Sequence, residues 1–150
     1  MHNTASDIYG QIVVKRQLAI EIQITATGTG VDFPLQVTQN QYLNKPNVLV
    51  YGVESMTTSE QAVSESNRPL IAPADLPYLI LSLVTLGENR EFAQNYPMTR
   101  LRPATYNGYT QYFTPRPLSL DLSKVIMLGA GTMTTSMSIL LNFYYKLQGE

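Results

Sequence analysis

The chain has 150 residues, about one domain, and a chain of this length can bury roughly 68–70% of the surface it exposes when unfolded. Its net charge of −1 lacks the basic excess of nucleic-acid-binding chains, and the absence of cysteine excludes disulfides and thiolate metal sites. Charged residues make up only 14% of the chain, and Ser, Thr, Gln and Asn take their place. A surface of uncharged polar residues suits lasting contact with neighbouring subunits.

The amino-terminal residues carry little patterned hydrophobicity. We expect residues 1–10 to form a flexible arm that a neighbour could order, and residues 11–150 to form a single domain. No basic stretch precedes an apolar run there, so no signal peptide is predicted. The longest apolar stretches, such as 79–86, are far shorter than the roughly 20 residues that span a bilayer. We therefore expect a soluble chain made in a cytoplasm, without membrane contact.

Strands are the clearest elements in the first third of the chain. Residues 18–25 alternate apolar and polar side chains, which is typical of a half-buried strand. Residues 31–37 predict a short strand, and Pro34 confines part of it to a sheet edge or a bulge. Residues 47–54 predict another strand, with a possible bulge at Gly52.

The middle of the chain alternates irregular and strand-like stretches. Residues 55–69 are polar, and a surface excursion is favoured over one helical turn capped by Ser59. Prolines 69, 73 and 77 then prevent long regular structure. Residues 78–87 are apolar on both faces, as in a central strand. Residues 90–103 predict a strand or short helix that returns across the sheet.

An Asn-Gly pair with aromatic flanks marks residues 105–113, TYNGYTQYF. Asn107-Gly108 predicts a two-residue hairpin turn, because both positions of a type I′ turn require positive φ. Aromatic pairing across the hairpin accounts for most of this clustering, but the rings could also contact a neighbouring subunit or stack on a sugar. The candidate ligand or interface residues are Tyr106, Tyr109, Tyr112 and Phe113.

The last third of the chain again alternates. Residues 118–122 place three leucines at every second position, and 139–145 separate two faces, one with Ile139 and Phe143, the other with Asn142. The segment GAGT at 129–132 is interpreted as a turn between strands, because it lacks the lysine of a phosphate-binding loop. Together the patterns predict seven to nine strands in an all-β fold, either an antiparallel β-sandwich or a jelly-roll-like barrel.

No catalytic constellation is visible in the sequence. The only histidine is His2, so a serine nucleophile would lack a base elsewhere, and the acidic residues are dispersed. We expect neither a metal nor any other cofactor, although an oxygen-ligand calcium site stays open, and we expect no enzyme. An enzyme would need two acidic side chains that converge in a cleft.

Three stretches carry a family resemblance: NVLVYGVES, LPYLILSLVTLGENREFAQNYPMTRLRP and LSLDLSKVIMLGAGTMTTSMSILLNFYYK, within 47–146. Residues 117–126, PLSLDLSKVI, are similar to a P-L-x-L-D-L-x-K-S-x-I strand, with Val125 where the pattern has serine. The chain thereby resembles the β-sandwich minor structural proteins of bacteriophages. The resemblance implies a capsid-associated, vertex or collar protein, made in the host cytoplasm and incorporated into the virion, and it transfers no functional residue.

Two functions are consistent with these observations. The first is a structural protein of a virus particle, a homo-oligomer that contacts copies of itself and other virion proteins and binds neither nucleic acid nor membrane. The alternative is a lectin-like module that holds a carbohydrate with the tyrosine hairpin and the 55–69 loop.

Overall fold

The computed structural model describes residues 16–35, 43–88, 91–101 and 111–149, with the backbone alone at Phe92, Gln111 and Tyr112. The arm predicted at residues 1–10 lies outside the described residues. The described chain contains eight strands: β1 (Arg16–Gln23), β2 (Val31–Pro34), β3 (Val48–Met56), β4 (Leu79–Val84), β5 (Glu91–Pro97), β6 (Gln111–Arg116), β7 (Lys124–Met127) and β8 (Ser138–Leu147). Two short 3-10 helices, Pro73–Tyr78 and Met98–Leu101, precede β4 and follow β5.

The strands form two four-stranded antiparallel sheets. The first sheet has the order β1-β8-β3-β6, and the second has the order β2-β7-β4-β5. The all-β, antiparallel fold class predicted from the sequence is therefore confirmed, as a sandwich. The described strands form two separate sheets rather than one closed barrel.

The pairing of strands follows a simple rule along the chain. The first strand pairs with the eighth, the second with the seventh, the third with the sixth and the fourth with the fifth. This is the pattern of one long hairpin that is rolled up to give two sheets. Two additional antiparallel pairs, β3 with β8 and β4 with β7, complete the sheets. Eight strands connected in this way form a jelly roll.

The core lies between the two sheets and is made of the inward-facing side chains of both. Alternation places Ile20 and Ile22 of β1 and Ile139, Leu141 and Phe143 of β8 on the inner face, where all five are buried. Their removal from water is the main stabilising term of the fold.

Special residues act as the sequence predicts. Pro34 ends β2, which is an edge strand of the second sheet. The register of β3 against both neighbours shifts between Val50 and Gly52, which confirms the bulge. The stretch 78–87 contains β4, a central strand between β7 and β5, and 90–103 contains β5 followed by a 3-10 turn.

The alternation at 118–122 does not produce a strand. Leu118 and Leu120 are buried, but Leu122 is 47% exposed, and β7 begins only at Lys124. The chain turns there because Ser123 N donates to Ser119 O at 3.0 Å. A local turn thus competes successfully with the period-two pattern.

Candidate functional site

The structure places the predicted site residues only in part. Tyr106, Tyr109 and the Asn107-Gly108 pair between them lie outside the described residues, so the hairpin turn stays a prediction. Tyr112 is paired through its backbone with Gly52 of β3, and the Phe113 side chain is partly buried against the core. Their role in binding a ligand or a neighbour stays a prediction.

The most elaborate polar surface of the described chain lies elsewhere, on the outer face of the first sheet. Residues 57–70, here called the 57–70 segment, lie against this face where β1 and β8 pair. The segment begins with a closed turn, in which Glu60 Oε1 accepts hydrogen bonds from Thr57 N at 2.6 Å and Thr57 Oγ1 at 2.9 Å. The surface excursion predicted for 55–69 begins only at residue 57, because Ser55 and Met56 still belong to β3. It also contains a single helical turn, in which Gln61 N donates to Thr57 O at 3.0 Å, and the capping residue is Thr57 rather than Ser59.

A second turn and a bridge complete the 57–70 segment. Asn67 adopts φ of +63° and donates its N–H to Ser64 O at 2.9 Å. Leu70 then forms a parallel bridge with Ser138 at the start of β8. The segment is therefore attached to the sheet at its C-terminal end.

Arg68 is the main attachment of this segment. Its Nε donates to Ser138 Oγ at 3.0 Å, and its Nη2 donates to the carbonyl oxygens of Thr135 at 2.6 Å and Met137 at 2.9 Å. A longer contact of 3.5 Å reaches the Ile24 carbonyl oxygen. The rigid fork of one guanidinium thus joins the segment to the end of β1 and the start of β8.

Glu21 lies beside this attachment on the outward side of β1. Its Oε2 accepts a hydrogen bond from Ser138 Oγ at 2.8 Å. Burial alone would raise the pKa of this carboxyl, but hydrogen bonds from the Ser138, Ser64 and Ser66 side chains and the Ser66 backbone outweigh it and lower the pKa below 4.5. The ionised carboxylate therefore helps to hold the 57–70 segment at neutral pH.

A row of polar side chains crosses the same face four residues beyond Ser138 along β8. Asn142 Nδ2 donates to Gln17 Oε1 at 2.9 Å and to Glu54 Oε1 at 3.1 Å, so one amide connects β1, β8 and β3. Tyr144 OH also donates to Glu54 Oε1, at 2.9 Å, and the ring of Tyr144 packs near that of Tyr51. Glu54 and Asn142 are only 6% and 8% exposed, although they project outward.

A cleft of about 350 Å³ opens between β1 and the 57–70 segment. Its lining combines an apolar floor with amide, hydroxyl and carboxylate groups: Leu18, Ala19, Glu21, Gln61, Glu65, Ser66 and Leu140. Because Leu140 belongs to β8, the cleft lies over the outer face of the first sheet, where the 57–70 segment covers β1 and β8. Its two carboxylates favour a partner with a positive charge.

In the glycine-containing loop 129–132, the hydrogen-bond donors of Thr132 bind a carboxylate of the same chain. Thr132 donates its N–H to Asp75 Oδ1 at 2.9 Å and its hydroxyl to both carboxylate oxygens. Gly131 has φ of +52°, and a Cβ there would lie 2.7 Å from Asp75 Oδ1 and 2.9 Å from the Tyr78 ring. The interpretation of this segment as a turn is confirmed. The Asp75 carboxylate accepts the hydrogen bonds that a phosphate group would accept in a phosphate-binding loop.

Among the described residues, no group of three or more His, Asp or Glu side chains is placed to hold a metal ion. In the chain segments with assigned structure, no helix has the length and apolar character needed to cross a membrane.

Comparisons of the chain with protein-family models, with curated proteins and with solved structures find no match.

Sequence reasoning missed the polar surface of the first sheet. Alternation correctly places Glu21 and Asn142 on outward faces, but it gives no sign that a distant segment covers them. Arg68 is 70 residues from Ser138, its partner on β8. The only local sign of this covering segment in the sequence is the turn-forming triplet Asn67-Arg68-Pro69, which lies within a polar stretch.

Proposed function

We propose that the chain is a structural protein of a virus particle, a capsid-associated, vertex or collar component that acts through symmetric protein–protein contacts. The observation that carries the proposal is the strand order, in which eight strands pair as a rolled hairpin in two sheets. Jelly rolls of this kind build viral capsid domains. Because one fold hosts many functions, the surface of the protein must also suit an assembly role.

The outer face of the first sheet supports an assembly role through its rigidity. Arg68 connects the 57–70 segment to β8, and Asn142 connects β1 and β3 across β8, so hydrogen bonds hold both the segment and the sheet beneath it. A surface that is already ordered loses little conformational entropy when it is buried by another subunit.

The composition of the chain supports the same role. Interface cores are depleted in charged residues and enriched in tyrosine, and this chain has 14% charged residues and ten tyrosines. Its partners in the proposal are copies of itself and other virion proteins, and its location is the virion. Neither nucleic acid nor membrane is a partner, because the net charge of −1 provides no attraction to anionic surfaces.

The test has two steps. Size-exclusion chromatography with light scattering at micromolar concentration should show a discrete oligomer, and mass spectrometry of gradient-purified particles should find the chain among their proteins. A chain that stays strictly monomeric and never associates with particle proteins contradicts the proposal.

The cleft beside β1 favours a second candidate function, carbohydrate binding. Its amide, hydroxyl and carboxylate groups above an apolar floor are the kinds of group that bind sugars, and jelly rolls also form lectin domains. It ranks second because none of the lining residues is aromatic. Glycan-array screening of wild type, Gln61→Ala and Tyr109→Ala tests it, and a wild type that binds no glycan dismisses it.

A further inference from the structure

The cleft over the outer face of the first sheet carries negative charge beside an apolar surface. Its volume of about 350 Å³ lies at the lower end of the range of roughly 300–1,000 Å³ that is usual for ligand sites. Ala19 of β1 and Leu140 of β8 contribute apolar surface from the sheet. The polar lining comes from β1 and the 57–70 segment: Glu21, Gln61, Glu65 and Ser66.

Arg68, the arginine of the 57–70 segment, does not neutralise this charge. Its guanidinium donates to Ser138 Oγ and to two backbone carbonyl oxygens, and Arg68 is not part of the cleft lining. Within the described residues, the lining contains no lysine or arginine, and neither Glu21 nor Glu65 forms an ion pair. A counter-charge for the two carboxylates must therefore come from outside the described part of the chain.

Any partner that fills the cleft must accommodate an ionised carboxylate. Burial alone would raise the pKa of Glu21, but hydrogen bonds from Ser138, Ser64 and Ser66 lower it below 4.5, so the group is charged at neutral pH. An uncharged partner would remove water from this carboxylate without replacing the lost interactions, which is strongly unfavourable. A partner with a positive charge avoids that cost.

The rest of the lining suits a cation carried on an aliphatic chain. Lysine and arginine place their methylene groups along apolar surface while the charged end stays in polar surroundings. Ala19 and Leu140 provide such a surface beside the carboxylates. Gln61 Nε2 donates to Val63 O at 2.6 Å, so the Gln61 amide offers its Oε1 as a further acceptor for an ammonium or guanidinium group.

We propose that this cleft binds a lysine or arginine side chain of a neighbouring virion protein. The aliphatic part of that side chain lies on Ala19 and Leu140, and its cationic group lies between Glu21 and Glu65. The inference rests on the proposed function for the source of the side chain, and it deepens that function by specifying the chemistry of the partner. A charge pair of this kind selects the partner and orients it during assembly.

A peptide titration followed by NMR tests the chemistry of the cleft. The probes are blocked alanine-lysine-alanine and alanine-arginine-alanine tripeptides, with alanine-norleucine-alanine as an uncharged control that keeps the aliphatic chain. The backbone amide signals of Glu21, Glu65 and Ser66 should shift with the lysine and arginine peptides at millimolar concentration. The norleucine peptide should bind at least about tenfold more weakly, and added salt should weaken the cationic peptides because it screens exposed charges.

Variants locate the binding in the cleft. Glu65 is exposed, so Glu65→Gln should fold normally and weaken binding of the lysine peptide by about threefold to fivefold, the contribution of one exposed charge pair. The matched control is Glu88→Gln, another exposed carboxylate, in the turn after β4, which should bind as wild type does. Ala19→Lys places a tethered ammonium in the cleft and should abolish binding of the peptide. Thermal melting confirms that the variants are folded.

Particle incorporation tests the source of the side chain. Mass spectrometry of gradient-purified particles should find less Glu65→Lys than Glu88→Lys, because only the first places a like charge against the partner. Butylammonium chloride, a free amine, should bind more weakly than the lysine peptide, which adds contacts of its backbone. Free amine that binds more tightly than the peptide overturns a protein partner for the cleft.

The outcomes separate this inference from the proposed function. Equal binding of the lysine and norleucine peptides, or of the lysine peptide to wild type and Glu65→Gln, overturns the cleft inference, and the assembly role stands if the chain enters particles. A chain that binds the lysine peptide through Glu65 but never associates with particle proteins supports the chemistry of the cleft and contradicts the assembly role. A chain that does neither overturns both proposals.

Discussion

Removal of the Arg68 side chain should release the 57–70 segment from the sheet. The guanidinium makes hydrogen bonds of 3.0, 2.6 and 2.9 Å to Ser138 Oγ and to the carbonyl oxygens of Thr135 and Met137. Arg68→Ala removes all three donors together and leaves the carbonyl groups to water. The strands themselves keep their ladder bonds, so the damage should be centred on the segment.

The magnitude follows from these three bonds. Hydrogen bonds to a charged donor contribute about 1.5 kcal/mol each at the lower end of their range, or about 4.5 kcal/mol in total. Freedom regained by the arginine side chain offsets about 2 kcal/mol of this. The net cost is therefore about 2.5 kcal/mol for closing the segment, equivalent to an approximately 60-fold rise in its open population.

Native-state hydrogen exchange measures this local opening. The amide protons of Leu70 and Ile71 donate to Ala62 O and Ser138 O, so they report on the attachment of the segment. We expect their protection to fall by about 60-fold in Arg68→Ala and by less in Arg68→Lys, which keeps the charge without the fork. The exposed Arg100→Ala serves as control. Unchanged protection at both amides in Arg68→Ala would refute the assigned role.

Three further predictions concern other parts of the fold. Gly131→Ala should lower the free energy of unfolding by about 2–4 kcal/mol in urea titration, because it adds a clash with the Asp75 carboxylate to left-handed backbone strain. Gly30→Ala, with similar strain and no atom within 4 Å, should cost less, and equal costs would contradict the clash. Glu21→Gln should destabilise the chain at neutral pH, because the lowered pKa of Glu21 makes its ionised form the stabilising one. The difference should shrink as pH falls below 4.5 and vanish once pH is below the lowered pKa of Glu21, and a pH-independent difference in thermal melting would contradict this. Phe143→Ala, at a fully buried core position, should cost about 3–5 kcal/mol by urea unfolding, and a loss below 1 kcal/mol would show that the ring is not core.

Local patterns allow the strands and their faces to be predicted, because burial of one face imposes a period of two. The alternation in β1 and β8 follows from that rule. The bulge at Gly52 and the edge position of Pro34 follow instead from the backbone chemistry of glycine and proline. The failure at Leu122 has a local cause as well, since a turn closed by Ser119 and Ser123 interrupts the pattern.

The strand order and the polar surface could not be predicted in this way. Pairing of β1 with β8 joins residues more than a hundred positions apart, and no local propensity selects that partner. The burial of Glu54 depends on Asn142 and Tyr144, which reach it only after β3 and β8 have paired. Such sites depend on the whole topology, whereas alternation depends only on neighbouring residues.

Native mass spectrometry of the purified chain is the most direct measurement of whether this jelly roll is built to join others. At tens of micromolar, the account predicts a discrete oligomer whose mass is a whole-number multiple of the 16.7 kDa protomer. A single species at 16.7 kDa under those conditions, alone and in the presence of particle proteins, would contradict it.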